Sequence, residues 1–175
     1  WLQQIAEGLA HAHDAGVIHR DVKPANVLID RTDCALLVDF GLVRDLDASE
    51  QLTATGEVLG TLSYMSPEQA GMGEWEISPR TDVHALGATL YRALTGRPPF
   101  LGEGTIDVIK AVIFDQPPRP RRLDPSIHPD LEIITMRCLE KDPARRYPSA
   151  EAVAAELGRW LRGEAIHARS PGPVR

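Results

Sequence analysis

Asp21, Lys23, Asn26 and Asp39 are the side chains of this sequence best suited to chemistry. They crowd into His19-Arg20-Asp21-Val22-Lys23-Pro24-Ala25-Asn26 and the nearby Asp39-Phe40-Gly41. A carboxylate such as Asp21 can accept or orient the proton of an attacking hydroxyl. Lys23 places a fixed positive charge two residues on. Asn26 offers a neutral amide oxygen and Asp39 an anionic one, both hard donors of the kind Mg²⁺ takes alongside phosphate oxygens. An acid/base group, a cation and two metal donors are what phosphoryl transfer from ATP requires, because that reaction is catalysed mainly by positioning and charge neutralisation. Neither His-Arg-Asp nor Asp-Phe-Gly means much alone. Their order and spacing, with the lysine and asparagine between them, carry the reading.

Local elements must hold these groups. Leu2, Ile5, Leu9 and Ala12 recur at helical spacing and predict an amphipathic helix from residue 1 to about 14, stopped by Gly16. Short β-prone runs follow at Val17-Ile18, Val27-Leu28-Ile29 and Ala35-Leu36-Leu37-Val38, the last two joined as a hairpin through Asp30-Arg31-Thr32-Asp33. Residues 42–66 are polar and aperiodic, which predicts a long functional loop. The second half reads as helical. One stripe is Val83, Leu86, Leu90 and Leu94, ending at Gly96, and another is Ile106, Ile109 and Ile113. Pro129 opens a helix carrying Leu131, Ile134, Cys138 and Leu139, and Ser149 caps a last one carrying Val153, Leu157, Trp160 and Leu161. Pro117 to Arg122 reads as a rigid solvated connection, and residues 164–175 as a Pro-containing linker or tail. His11 and His13, at i and i+2, do not share a helix face, which argues against a metal site there. The expected fold class is mainly α with a small β hairpin layer (α+β).

On these residues the chain resembles the eukaryotic-type (Hanks-type) serine/threonine protein kinases, and within them the bacterial receptor-like group. Met65-Ser66-Pro67-Glu68 is similar to the family's Ala-Pro-Glu segment, with Ser66 in place of alanine. Asp82 to Gly87 resembles the start of a central buried helix, with His84 where an aromatic is more usual. Lys141-Asp142-Pro143-Ala144-Arg145-Arg146 matches the late Asp-Pro-x-x-Arg pattern. The resemblance covers residues 1–163 and implies the C-terminal lobe of a kinase-like fold. Its parts would be a catalytic loop at 19–26, a magnesium loop at 39–41, an activation segment at 39–68 and a helical subdomain at 80–162.

The same resemblance implies roles. Asp21 and Lys23 are the expected catalytic residues. Lys23, Asn26, Leu28 and Asp39 are the expected ATP contacts, with Leu28 under the adenine, and Asn26 with Asp39 would hold Mg²⁺ or Mn²⁺. His19 and Phe40 are expected to pack the two loops together, Asp82 to hold the catalytic-loop backbone, and Glu68 to pair with Arg146. Thr61 is expected to bond Asp21 and Lys23; Lys23 and Gly60-Thr61 also follow the serine/threonine pattern. Arg20 implies control by activation-loop phosphorylation, with Thr53 and Thr55 as acceptors. ATP, protein substrates and a second kinase chain are the implied partners.

Composition agrees with one ordinary domain: 175 residues, 43% of them hydrophobic. A net charge of −6 without a strongly basic stretch gives no electrostatic footprint for nucleic acid. Two cysteines, Cys34 and Cys138, form no CxxC spacing, so neither a disulfide framework nor a zinc site is expected. A reducing, cytoplasmic setting follows, and no run approaches the roughly 20 apolar residues of a membrane span. The start at Trp1 without a methionine reads as a piece of a longer protein, and a membrane anchor after its C-terminal end is implied by analogy alone. No Gly-x-Gly-x-x-Gly occurs, so the upper wall of the ATP site is expected outside this piece, which alone would have negligible activity. The alternative is a non-catalytic, pseudokinase-like interaction scaffold. The intact Asp21, Lys23, Asn26 and Asp39 argue against it.

Overall fold

The computed structural model describes residues 1–40, 60–71 and 75–168. Its helices are α1 (Leu2–Asp14), α2 (Pro79–Thr95), α3 (Thr105–Phe114), α4 (Pro120–Leu123), α5 (Pro129–Cys138) and α6 (Ala150–Leu161), with 3₁₀ turns at Pro24–Asn26 and Pro143–Arg145. Strands β1 (Val27–Ile29) and β2 (Ala35–Leu37) pair antiparallel, Leu28 opposite Leu36. The Asp30 carboxylate shapes the turn between them by accepting from the backbone N–H groups of Thr32 and Cys34. The described residues are therefore mainly helical, with one small hairpin.

Val17-Ile18 is not a strand. Gly16, at φ +77°, ends α1 in the left-handed conformation that glycine adopts without strain. The Val17 N–H then turns back 2.9 Å to the Ala12 carbonyl. Closing the helix end uses the donor that a β ladder would need.

Helix α2 runs through the core, buried continuously from Thr81 to Tyr91. Around it pack Ile5 and Leu9 of α1, Leu131 and Ile134 of α5, and Val153 and Leu157 of α6. Gly87 lets α5 approach, because a Cβ there would stand 2.4 Å from that of Cys138. A second cluster joins Tyr91, Phe100, Val108, Val112 and Leu139.

Three expectations need correction. The Ile106, Ile109 and Ile113 stripe is not the buried face of α3: Ile106 is 68% exposed, while Val108, Ala111 and Val112 face the core. This helix is apolar on more than one side, so periodicity locates the helix without choosing its inner face. Residues 117–122 are not a purely solvated connection, since Pro120 is buried at the start of α4 and the Arg121 N–H donates 2.8 Å to Glu132. Residues 164–168, the described part of the tail, do not simply leave. Glu156, nearly buried, accepts from the N–H groups of His167 and Ala168 at 3.0 and 2.8 Å, and Ile166 and Ala168 pack on the core.

Glu68 and Arg146 are expected as a pair and form one. Their side chains are wholly buried, and two guanidinium N–H groups donate to the two carboxylate oxygens at 2.7 and 2.8 Å. Arg146 also donates to the carbonyls of Arg80, Glu140 and Lys141, and the Thr81 hydroxyl donates 2.9 Å to Glu68. Burial pushes the Glu68 carboxyl upward, but the Arg146 bonds outweigh it and hold the pKa below its ordinary value. Removing one member of such a pair leaves the other charged, dry and unpaired. Glu68→Ala is expected to lower stability by about 3–5 kcal/mol in chemical denaturation, and a loss under about 1 kcal/mol would place the pair among weak surface bridges.

Candidate functional site

Arg20 has φ +68°, a left-handed backbone that a side chain with a Cβ resists. It is clamped from both sides. Its N–H donates 2.8 Å to Asp82 Oδ1, and its carbonyl accepts from Gln69 Nε2 at 2.8 Å. The His19 N–H donates 2.8 Å to the other Asp82 oxygen. Asp82 is fully buried in the first turn of α2, where the helix N-terminus favours a negative charge. A third donor reaches it from α1, His13 Nε2 at 2.8 Å. Because a carboxylate only accepts, His13 must carry its proton on Nε2.

The Asp21 carboxylate follows directly on this clamp. Its Oδ2 accepts from Lys23 Nζ at 2.7 Å and from Asn26 Nδ2 at 3.1 Å, and Asn26 Nδ2 also holds the Asp21 carbonyl at 2.7 Å. Lys23 Nζ extends on to Thr61 Oγ1 at 3.4 Å, in a short helical turn at 60–62. Asp21, Lys23, Asn26 and Thr61 are thus brought together by bonds spanning two loops.

A buried neutral imidazole brings Asp39 to the same place. His19 is 1% exposed; its Nδ1 lies 3.2 Å from the Asp21 N–H and its Nε2 2.9 Å from the Val38 carbonyl. The first nitrogen must accept and the second donate, a pairing that one neutral tautomer satisfies. The Val38 N–H donates 2.9 Å to the Asn26 carbonyl, and the Phe40 ring lies 4.6 Å from that of His19. Asp39, exposed and at φ +63°, is therefore anchored through its neighbours on both sides.

With its Nδ2 committed to Asp21, Asn26 has its amide oxygen left for a cation. Asp39 adds an exposed carboxylate. Among the described residues no group of three or more His, Cys, Asp or Glu is gathered for a metal. One amide and one carboxylate fit a Mg²⁺ that takes its remaining oxygens from phosphates and water. Leu28 and Leu36 are half exposed and paired across the hairpin, an apolar platform open to solvent.

Asp21, Lys23, Asn26 and Thr61 come together through hydrogen bonds, His19 lies against Phe40, and Glu68 meets Arg146, while Asp39, Leu28 and the Arg20 side chain are exposed. Thr53 and Thr55 lie outside the described residues. Sequence reasoning passed over His13 and Gln69. The signal for His13 is its place in the last turn of α1, six residues before His19, within reach of the loop. Gln69 carried no signal beyond following Glu68.

A profile of the family described as the protein kinase domain matches residues 1–157. A probable serine/threonine-protein kinase of Streptomyces coelicolor is 38% identical over 165 residues, covering 94% of this chain and 24% of its own. Serine/threonine-protein kinase PknB of Mycolicibacterium smegmatis is 39% identical over 160 residues, 91% of this chain and 25% of that one. PknB of Mycobacterium tuberculosis is 38% identical over 159 residues, with 90% and 25% covered. The chain spans about a quarter of the length of these curated relatives.

The bond from His13 to Asp82 connects α1 to α2 in a nearly dry setting, with side-chain exposures of 7% and 0%. His13→Phe keeps the ring and deletes the donor. It is expected to lower stability by about 1.5–3 kcal/mol, the range for a hydrogen bond to a charged group. An unchanged denaturation midpoint would show that Asp82 does not use this bond.

Proposed function

The chain belongs to the protein kinase domain family, and from that membership we propose that it is the C-terminal lobe of a serine/threonine protein kinase acting on ATP and protein hydroxyls. The lobe is residues 1–163, with the catalytic loop at 19–26, the magnesium loop at 39–41, the activation segment at 39–68 and the helical subdomain at 80–162. One observation carries the reading: Asp21 Oδ2 receives both Lys23 at 2.7 Å and Asn26 at 3.1 Å, beside Asp39 and the Lys23–Thr61 contact. The acceptor class is supported by relatives named as serine/threonine kinases.

In this reading the acceptor hydroxyl stands against Asp21, whose carboxylate orients it and takes up its proton. The hydroxyl oxygen bonds to the γ-phosphorus as the bond to the β–γ bridging oxygen breaks, and ADP leaves. Lys23 offers positive charge to the transferring oxygens while its contact with Thr61 keeps the acceptor side in place. Asn26 and Asp39 are the residues that would hold Mg²⁺. The bound cation supplies neutralisation of phosphate charge. Leu28 forms the floor under the adenine. Arg20, exposed next to Asp21, would meet a phosphate on Thr53 or Thr55 and order the loop between them and the catalytic residues.

The platform of Leu28 and Leu36 is open to solvent, so the isolated 175-residue chain provides only the lower wall of a nucleotide site. The test uses labelled ATP with Mg²⁺ and mixed protein substrates. The full-length parent should form phosphoserine and phosphothreonine, the isolated chain should stay at background, and Asp21→Asn in the parent should lose about 10²–10⁴-fold in kcat. Normal turnover in Asp21→Asn, or label confined to tyrosine, refutes the proposal.

A further inference from the structure

Beyond the catalytic group itself, we infer that Gln69 is a positioning residue that sets the register of the acceptor-docking segment against the catalytic loop. The inference rests on the kinase reading above. Both ends of the Gln69 amide are in use. Its Oε1 accepts from the Ser66 N–H at 3.1 Å and the Ser66 hydroxyl at 3.2 Å, and its Nε2 donates 2.8 Å to the Arg20 carbonyl. Ser66 is fully buried and Arg20 immediately precedes Asp21, so one side chain ties a fixed point of the segment at 66–69 to the residue before the catalytic carboxylate.

The shape of the catalytic loop itself has other supports. Asp82 holds the N–H groups of His19 and Arg20, and Asn26 holds the Asp21 carbonyl. What Gln69 adds is the connection between the two segments. A further link, Lys23 to Thr61, is longer at 3.4 Å. A cavity of about 30 Å³ lies between the segments, lined by Asp21, Val22, Thr61, Tyr64, Met65 and Gln69 among others. It is large enough to hold a water, and Asp21, proposed to meet the acceptor hydroxyl, forms part of its wall. The reach and the donor–acceptor pair are both needed. Glutamate keeps the acceptor but loses the donor and turns a carboxylate toward the Arg20 carbonyl, whereas methionine keeps the length and loses both bonds.

The consequence is selective. An acceptor held on the 66–69 side should drift relative to Asp21 when the tie is cut, and misplacement of that kind costs rate steeply. Water as acceptor, in ATP hydrolysis without peptide, does not depend on the docking segment. The experiment compares the natural full-length parent with Gln69→Met and Gln69→Glu in two assays, kcat/KM for a peptide substrate and kcat for ATP hydrolysis without peptide. Peptide transfer should fall about tenfold or more in both variants, and at least about fivefold more than ATP hydrolysis does. Equal losses in the two assays would reduce Gln69 to general support of the fold and overturn the inference, as would no loss in either. A natural parent with neither activity overturns the kinase reading instead, and this inference falls with it.

Discussion

The carboxylate of Asp82 is the point on which the rest of this structure depends. It is buried, and its donors are two loop N–H groups, one imidazole N–H and the positive end of its own helix. A buried carboxylate is costly unless its lone pairs are filled. Here filling them requires that residues 19–20 adopt one backbone path, including the left-handed Arg20. The cost of burying the charge and the strain at Arg20 are therefore offset by the same set of bonds. The path delivers Asp21 pointing at Lys23 and Asn26.

One residue earlier, the same helix turn organises the other side of the site. The Thr81 hydroxyl accepts from the Ser78 N–H and donates to Glu68, whose partner Arg146 gathers three backbone carbonyls. Two buried carboxylates, one on α2 and one held by it, thus place residues 19–21 and residues 66–69 against a single rigid element. His19 completes the frame from within, because its neutral tautomer is specified at both nitrogens and ties Asp21 to the strand end before Asp39. The groups that would touch nucleotide or substrate are the less buried ones, as at Asp21, Asp39 and Leu28, while those that hold them are buried.

How much of this was legible depended on whether a residue advertised itself by type and spacing. Asp82, Glu68 and Arg146 belong to motifs, and their pairing follows once the motifs are seen together. The hairpin was legible because β-prone runs flank an aspartate-rich turn, and the ends of α2 and α6 because Gly96 and Ser149 are strong cap residues. What stayed hidden were contacts between residues far apart in sequence that carry no local pattern. His13 meets Asp82 across 69 positions and Gln69 meets Arg20 across 49. Glu156 accepts from the N–H groups of His167 and Ala168, a contact that no local pattern in the sequence marks. The isoleucines of α3 were misread for a related reason, since a helix apolar on two sides leaves its orientation to tertiary packing.

Amide hydrogen exchange at His19 and Arg20 tests the central claim most directly, because both N–H groups are said to be held by a dry carboxylate rather than by a β ladder or helix. In the natural protein these two amides should exchange as slowly as those of the buried middle of α2, and in Asp82→Asn they should exchange faster while the α2 amides remain protected. Exchange of His19 and Arg20 at the rate of solvated loops in the natural protein would contradict the account.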